Sequence, residues 1–297
     1  MADLSSFADS DALDNRYSGK TIIYVEGEPD EKIYQNIVGY DMAHLLEFKV
    51  PNCQGSGCAV VINEVKKQRE TNQKVFGLLD GEEAVSLGGL EAFVGCTGQL
   101  FSFPAALSEG LFFLSGHEVE NILILYGKFC EHISKETTLR DLGKLDINDI
   151  QRSLYIANRR FFMAALAKYA SRSLKLAGKN IDIVATGRFQ NKDKVKDILS
   201  AYRKDIEDAG LKWSDFVNEA RKTMRLVRGR FKAQALQSEE KNSQLIRMTD
   251  GKGLLTRMKQ KFNPQAKWEG HLAHTLYQPE YADRFRNDLI ILAGISA

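Results

Sequence analysis

Two short apolar runs, each closing on an acid beside a glycine, constrain this chain more than any other feature. The first is Thr21-Ile22-Ile23-Tyr24-Val25-Glu26-Gly27; the second is Val75-Phe76-Gly77-Leu78-Leu79-Asp80-Gly81. Runs of this length without polar alternation read as strands buried on both faces, which belong in a parallel sheet covered by helices. Helical patterns at Asp30 to Val38 and Ala59 to Arg69 alternate with strand signals at Lys20 to Glu26, Leu46 to Val50 and Lys74 to Asp80. Further strand signals follow at Leu100 to Phe103 and Leu111 to Leu114. The order strand, helix, strand predicts βαβ units with right-handed crossovers and an α/β fold with a mostly parallel sheet. In such sheets ligands bind outside the carboxyl ends of the strands, where Glu26 and Asp80 would stand.

The second half has a different character. Apolar residues at helical spacing run from Ile150 to Ala177, and helices are expected at Lys192 to Glu207, Trp213 to Ala235 and Tyr281 to Leu292. A short apolar run at Ile181 to Ala185 reads as a lone strand or a buried loop. The division expected is an α/β domain over residues 18–145 and a mainly helical region over residues 146–297. Charge follows the same division: residues 1–150 hold 24 acids against 12 bases, and residues 151–297 hold 29 bases against 15 acids. A basic half suits a phosphate backbone, and an acidic half suits a bound cation. Mutual attraction of the halves, or solvated helix faces, explains the same split.

Other features exclude whole classes. The stretch Met1 to Asn15 is acidic and has no export-signal pattern, and no apolar segment is long enough to span a bilayer. Cys53, Cys58, Cys96 and Cys130 lack zinc-site spacing and the density of a disulfide scaffold, so reduced thiols in a cytoplasmic protein are expected. Cys53 and Cys58 flank Gly55-Ser56-Gly57, which reads as a turn into the next helix. Asp250-Gly251-Lys252-Gly253 lacks the glycine and the Ser or Thr of a phosphate-binding loop. No Ser-His-Asp or Cys-His signature and no dinucleotide fingerprint occurs.

Glu26 ends a strand, and Pro29 suits the first helical turn that follows. Asp30 in that turn either complements the helix dipole or serves a metal. Asp80 and Glu82, two apart in an extended backbone, would project to one side and offer oxygens to a magnesium ion, with Glu83 pointing away. Ser115-Gly116-His117-Glu118-Val119-Glu120-Asn121 leads into an apolar helix, with Ser115 and Glu118 forming a candidate capping box. On a helix Glu118 and Glu120 diverge, and Glu120 is the one favoured to face the site. His117 reads as a ligand, a base or, more simply, a polar surface residue. Arg221, Arg225 and Arg228 share a helix face suited to phosphates, to solvent or to a partner protein. Phe161, Phe162 and Tyr169 follow core periodicity.

The order Val25-Glu26-Gly27-x-x-Asp30, then Leu78-Leu79-Asp80-Gly81-Glu82, then Glu120-Asn121 opening an apolar helix, resembles the Toprim fold of topoisomerases, bacterial primases and overcoming-lysogenization-defect nucleases. Glu82 stands where that pattern has a second Asp. Within this group the layout is similar to the Toprim effectors of PARIS-type anti-phage systems. The resemblance implies a metal-dependent endoribonuclease, a toxin of abortive infection that cleaves host tRNA and is held silent by an ABC-type ATPase subunit until triggered. It implies Mg2+ or Mn2+, as two ions, with Glu26, Asp80 and Glu82 on one and Asp30 and Glu120 completing a second. Glu26 can alternatively act as general base. Lys252 would neutralise developing phosphorane charge, although a lysine opening a helix is the plainer reading. Arg221, Arg225 and Arg228 would hold the nucleic acid, and the active species could be a homodimer. A DNA endonuclease of the same fold and a non-catalytic, partner-binding or nucleic-acid-mimicking subunit remain alternatives.

Overall fold

In the computed structural model, residues 19–52, 57–126, 128–137, 146–181, 195–264 and 268–295 are described, the side chains of 195–198 and 268–271 excepted. Met1 to Asn15, Cys53, Gly55 and Ser56, the run from Asp182 to Ala185, and Lys192 lie outside the described residues.

Five strands, β1 (Thr21–Tyr24), β2 (Leu46–Lys49), β3 (Val75–Leu79), β4 (Leu100–Phe101) and β5 (Leu111–Leu114), form one sheet in the order β2-β1-β3-β5-β4. The pairings of β1 with β2, β1 with β3 and β3 with β5 are parallel. All residues of β1, β3 and β5 are buried, whereas edge strand β2 alternates buried and half-buried positions. This is the burial expected of interior and edge strands in a covered parallel sheet. The expected α/β architecture with helices flanking a mostly parallel sheet is therefore present. β4 ends two residues earlier than expected, because Phe103 is the N-cap and Pro104 the start of a helix.

Contact density divides the chain into two compact units. Unit 1 comprises residues 1–79, 100–113 and 279–297; unit 2 comprises 80–99 and 114–278. Unit 1 holds the sheet with α1 (Glu28–Val38), α2 (Cys58–Arg69) and α5 (Pro104–Ser108), the label order following the chain. The last helix, α14 (Pro279–Ala293), also belongs here. Its Phe285 is wholly buried and stacks on Tyr34 of α1, with centroids 5.7 Å apart and planes 9° from parallel. Asp288 of α14 accepts a hydrogen bond from the Leu100 amide, 3.0 Å, and Arg286 donates to the Ile37 carbonyl, 3.2 Å.

Unit 2 is helical, with α3 (Glu83–Ser86), α4 (Leu90–Gly95), α6 (Val119–Tyr126), α7 (Phe129–Glu136) and a 30-residue α8 (Ile147–Leu176). It continues through α9 (Val195–Asp208), α10 (Trp213–Ala233), α11 (Ser238–Arg247), α12 (Gly251–Phe262) and α13 (Trp268–Thr275). Arg247, buried, donates to the carbonyls of Phe93, Val94 and Cys96 at the end of α4, which satisfies acceptors that a helix terminus leaves open. Among the described residues no helix is long and apolar enough to cross a membrane.

Phe285→Ala removes a ring enclosed on all sides. Denaturant unfolding is expected to show a loss of about 3–5 kcal/mol, the usual cost of truncating a buried aromatic; a loss below about 1 kcal/mol would detach α14 from the sheet's core.

Candidate functional site

The strand order reverses between β1 and β3: β2 lies on one side of β1, and the chain returns to place β3 on the other. Such a switch point opens a crevice at the carboxyl ends of the two strands. Glu26 follows β1 by two residues and Asp80 follows β3 directly. In unit 1 Glu26 is half-buried, and its Oε2 lies 4.0 Å from where a Cβ on Gly57 would stand, at the N-terminus of α2. Asp30 is half-buried in the acidic first turn of α1, with Glu28 and Glu31.

In unit 2 the chain after β3 is not extended. Gly81 donates to the Gly116 carbonyl at 3.1 Å, Glu82 donates to that of His117 at 3.2 Å, and Glu82 itself has helical angles, φ −65° and ψ −27°. A Cβ on Gly81 would run into the carbonyl oxygens of Leu114 and Gly116 and the ring of Phe93, so only glycine permits this approach. The turn sends Glu82 away from the side of Asp80 that alternation would give it. Its carboxylate is buried, 2.7 Å from His117 Nε2 and 3.1 Å from Arg172 Nη2, and it also pairs with Lys168 Nζ. Burial pushes this carboxyl up, but His117, Lys168 and Arg172 outweigh it and hold it far below the ordinary carboxylate range. Glu82 thus has its charge balanced by protein cations, which differs from the metal-facing position expected of it. Arg172 also grips Glu83 through two hydrogen bonds of 2.7 and 2.8 Å, so Glu83 does point elsewhere.

His117, expected at the surface, is wholly buried. Its Nδ1 lies 2.5 Å from the Tyr169 hydroxyl, which itself donates to the Met248 carbonyl at 2.7 Å. With the hydroxyl hydrogen committed to Met248, Nδ1 is the donor to the Tyr169 oxygen. The Ser115 capping box is absent. The Ser115 amide donates to Gln99 O, α6 begins only at Val119, and the Glu118 amide is capped by Asn121 Oδ1 at 2.8 Å. Asn121 Nδ2 in turn donates to the carbonyls of Ile246 and Thr249, 2.7 and 2.8 Å, which holds the segment before α12 against the start of α6.

Glu118 stands just before this helix and Glu120 in its first turn. Lys252, in the first turn of α12 behind the N-cap Asp250, places Nζ 3.1 Å from Glu118 Oε2. Burial pushes the Lys252 ammonium down, but Glu118, Glu120 and Asp80 together raise it well above its ordinary value. Burial raises the Glu118 carboxyl to about 7, with Asp250 and Glu120 adding to the rise and His117 and Lys252 opposing it. Asp80, Glu118, Glu120 and Lys252 therefore share one electrostatic neighbourhood. Glu118 is the member of the Glu118–Glu120 pair that the sequence does not favour, and Asp250, Lys168, Arg172 and Tyr169 carry no local mark of a site. The one available signal was the Glu-x-Glu spacing at 118–120.

Hard divalent cations take carboxylate oxygens, and magnesium is commonly held by one or two carboxylates together with substrate phosphates. Asp80 and Glu120 suit that chemistry, since acids here outnumber the lysine facing them. Among the described residues no three His, Cys, Asp or Glu side chains converge closely enough to hold an ion unaided. Arg221, Arg225 and Arg228 are all exposed on α10.

Two outcomes test this reading. Glu82→Ala strands Lys168 and Arg172 without their shared counter-charge, so unfolding should show a loss of about 3–5 kcal/mol; a stable variant lacking only activity would restore Glu82 as a ligand. Glu118 holds its proton to about pH 7 when folded, against an ordinary value of 4.5. Its favourable contribution is complete below the lower value and is lost as pH rises toward the higher. Glu118→Gln should therefore gain stability relative to wild type between those pH values, read as a widening difference in Tm; a constant difference would refute the shift. No protein-family model matches this chain, and no curated protein matches it.

Proposed function

We propose that this chain is a metal-dependent phosphodiesterase of the Toprim type, an endoribonuclease that cleaves tRNA as the toxic effector of an anti-phage system. In this reading an ABC-type ATPase subunit holds it silent until triggered. The observation that carries the phosphodiesterase reading is the ion pair of Lys252 with Glu118 inside unit 2, in the field of Glu120 and of Asp80, the residue that directly follows β3. RNA cleavage, the defence role and the ATPase rest on the resemblance of the motifs and layout.

A bound divalent ion, for which Asp80 and Glu120 offer carboxylate oxygens and to which the resemblance adds Glu26 and, for a second ion, Asp30, would supply positive charge against the phosphate oxygens. Lys252 is suited to the same charge as it develops, because its side chain is 64% exposed and can turn from Glu118 toward a phosphate. Glu26 provides a carboxylate able to accept a proton from attacking water. Glu82, with His117 and Arg172, keeps the Asp80 turn in place rather than meeting substrate.

Glu26→Gln and Asp80→Ala should each leave folding intact and abolish toxicity on induction. Purified wild type should cleave tRNA with Mg2+ or Mn2+ by at least about a hundredfold over either variant, the scale of one lost catalytic group. Cleavage of supercoiled plasmid but not tRNA would establish the DNA enzyme instead. Undiminished toxicity of Asp80→Ala would establish a non-catalytic subunit.

A further inference from the structure

Unit 2 carries an open apolar groove far in character from the acidic site. Its walls are Met163 and Leu166 of α8 and Trp213, Val217, Ala220 and Met224 of α10, and it encloses about 220 Å³. Ala167 and Phe216, which also line it, belong to a packed cluster with Ala164, Tyr202 and Ile206. Alanines on this side of α8 keep the floor shallow, while Met163 remains 37% exposed. Ile156, two turns earlier on the same side of α8, is 65% exposed. Arg159 interrupts the apolar residues of that face between Ile156 and Met163.

The borders are basic. Arg221 of α10 lines the groove, with Arg225 one turn further along the same helix and Arg159 one turn before Met163 on α8, all three exposed. A lining of this kind does not suit RNA, whose phosphates and base edges need polar partners. It suits aliphatic or aromatic side chains presented at i, i+3, i+4 and i+7, and methionine thioethers adapt readily to such guests. Cationic borders select acids on the flanks of the guest. We infer that the groove between α8 and α10 receives an acidic amphipathic helix of a protein partner. The inference does not depend on the nuclease reading, and it assigns Arg221 and Arg225 to a protein rather than to nucleic acid.

The test uses the full chain and a fluorescein-labelled acidic peptide of about four helical turns, leucine on one face and glutamate on the other. A scrambled peptide of the same composition serves as control. Anisotropy should show saturable binding of the patterned peptide only, weakened at least about tenfold by Met163→Glu and by the double substitution Arg221→Glu, Arg225→Glu. These positions are exposed, and should Met163→Glu alter the melting profile, the arginine pair alone decides. Absent binding, equal binding of the scrambled peptide, or indifference to the substitutions would overturn the proposal. So would loss of an RNA hairpin, rather than the peptide, in Met163→Glu. A dimer seen by light scattering and dissolved by the same substitution would give the groove to a second copy of the chain and also refute it.

Discussion

The buried carboxylate of Glu82 is the interaction on which unit 2 depends. It faces His117, Lys168 and Arg172 at once, and through them the turn after β3 is fastened to the segment after β5 and to the last third of α8. Removing water from an acid costs several kcal/mol, and only close, multiple cations recover it. The arrangement is therefore demanding about geometry. Gly81 must lie against the Leu114 and Gly116 carbonyls, His117 must keep Tyr169 on its far side, and Tyr169 must reach Met248. A network so interlocked gives Asp80 a fixed frame without placing Glu82 among the groups that meet a ligand.

Lys252 and Glu118 form the contrasting pair. Glu82 has its charge countered from three directions, whereas Glu118 has burial and two neighbouring acids against it, with Lys252 as its close ammonium partner. Low dielectric strengthens both effects. The result is a neighbourhood tuned for positive charge, with its lysine anchored at one end by the Asp250 cap, which accepts from the Gly253 amide at 2.8 Å, and free at the other to reach solvent.

The two faces of the basic half separate in the same physical terms. Where Arg230 and Arg247 turn inward, they donate to main-chain carbonyls of residues 93–96 and serve packing. Where Arg221 and Arg225 turn outward, both are exposed, and Arg221 lines an apolar groove. Counting basic residues along the sequence cannot tell these uses apart, because direction around the helix, not charge, divides them.

Much of the frame was legible in the sequence. Unbroken apolar runs demanded interior parallel strands, and helical spacing located α8 within three residues at its start and α10 within two at its end. Acids at strand ends followed from the same patterns, since a strand's last residue sits at the sheet edge whatever packs around it. What tertiary structure alone decided was orientation. Local alternation put Glu82 beside Asp80, but the approach of the 114–117 segment bends the backbone and delivers Glu82 to cations about ninety residues away in sequence. Periodicity placed Tyr169 in the core, and only packing made it the partner of a buried histidine. Lys252 read as an ordinary helix opening, and only the meeting of α6 with α12 set it among acids. Burial and charge pairing act between residues distant in the chain, and no window of local sequence contains them.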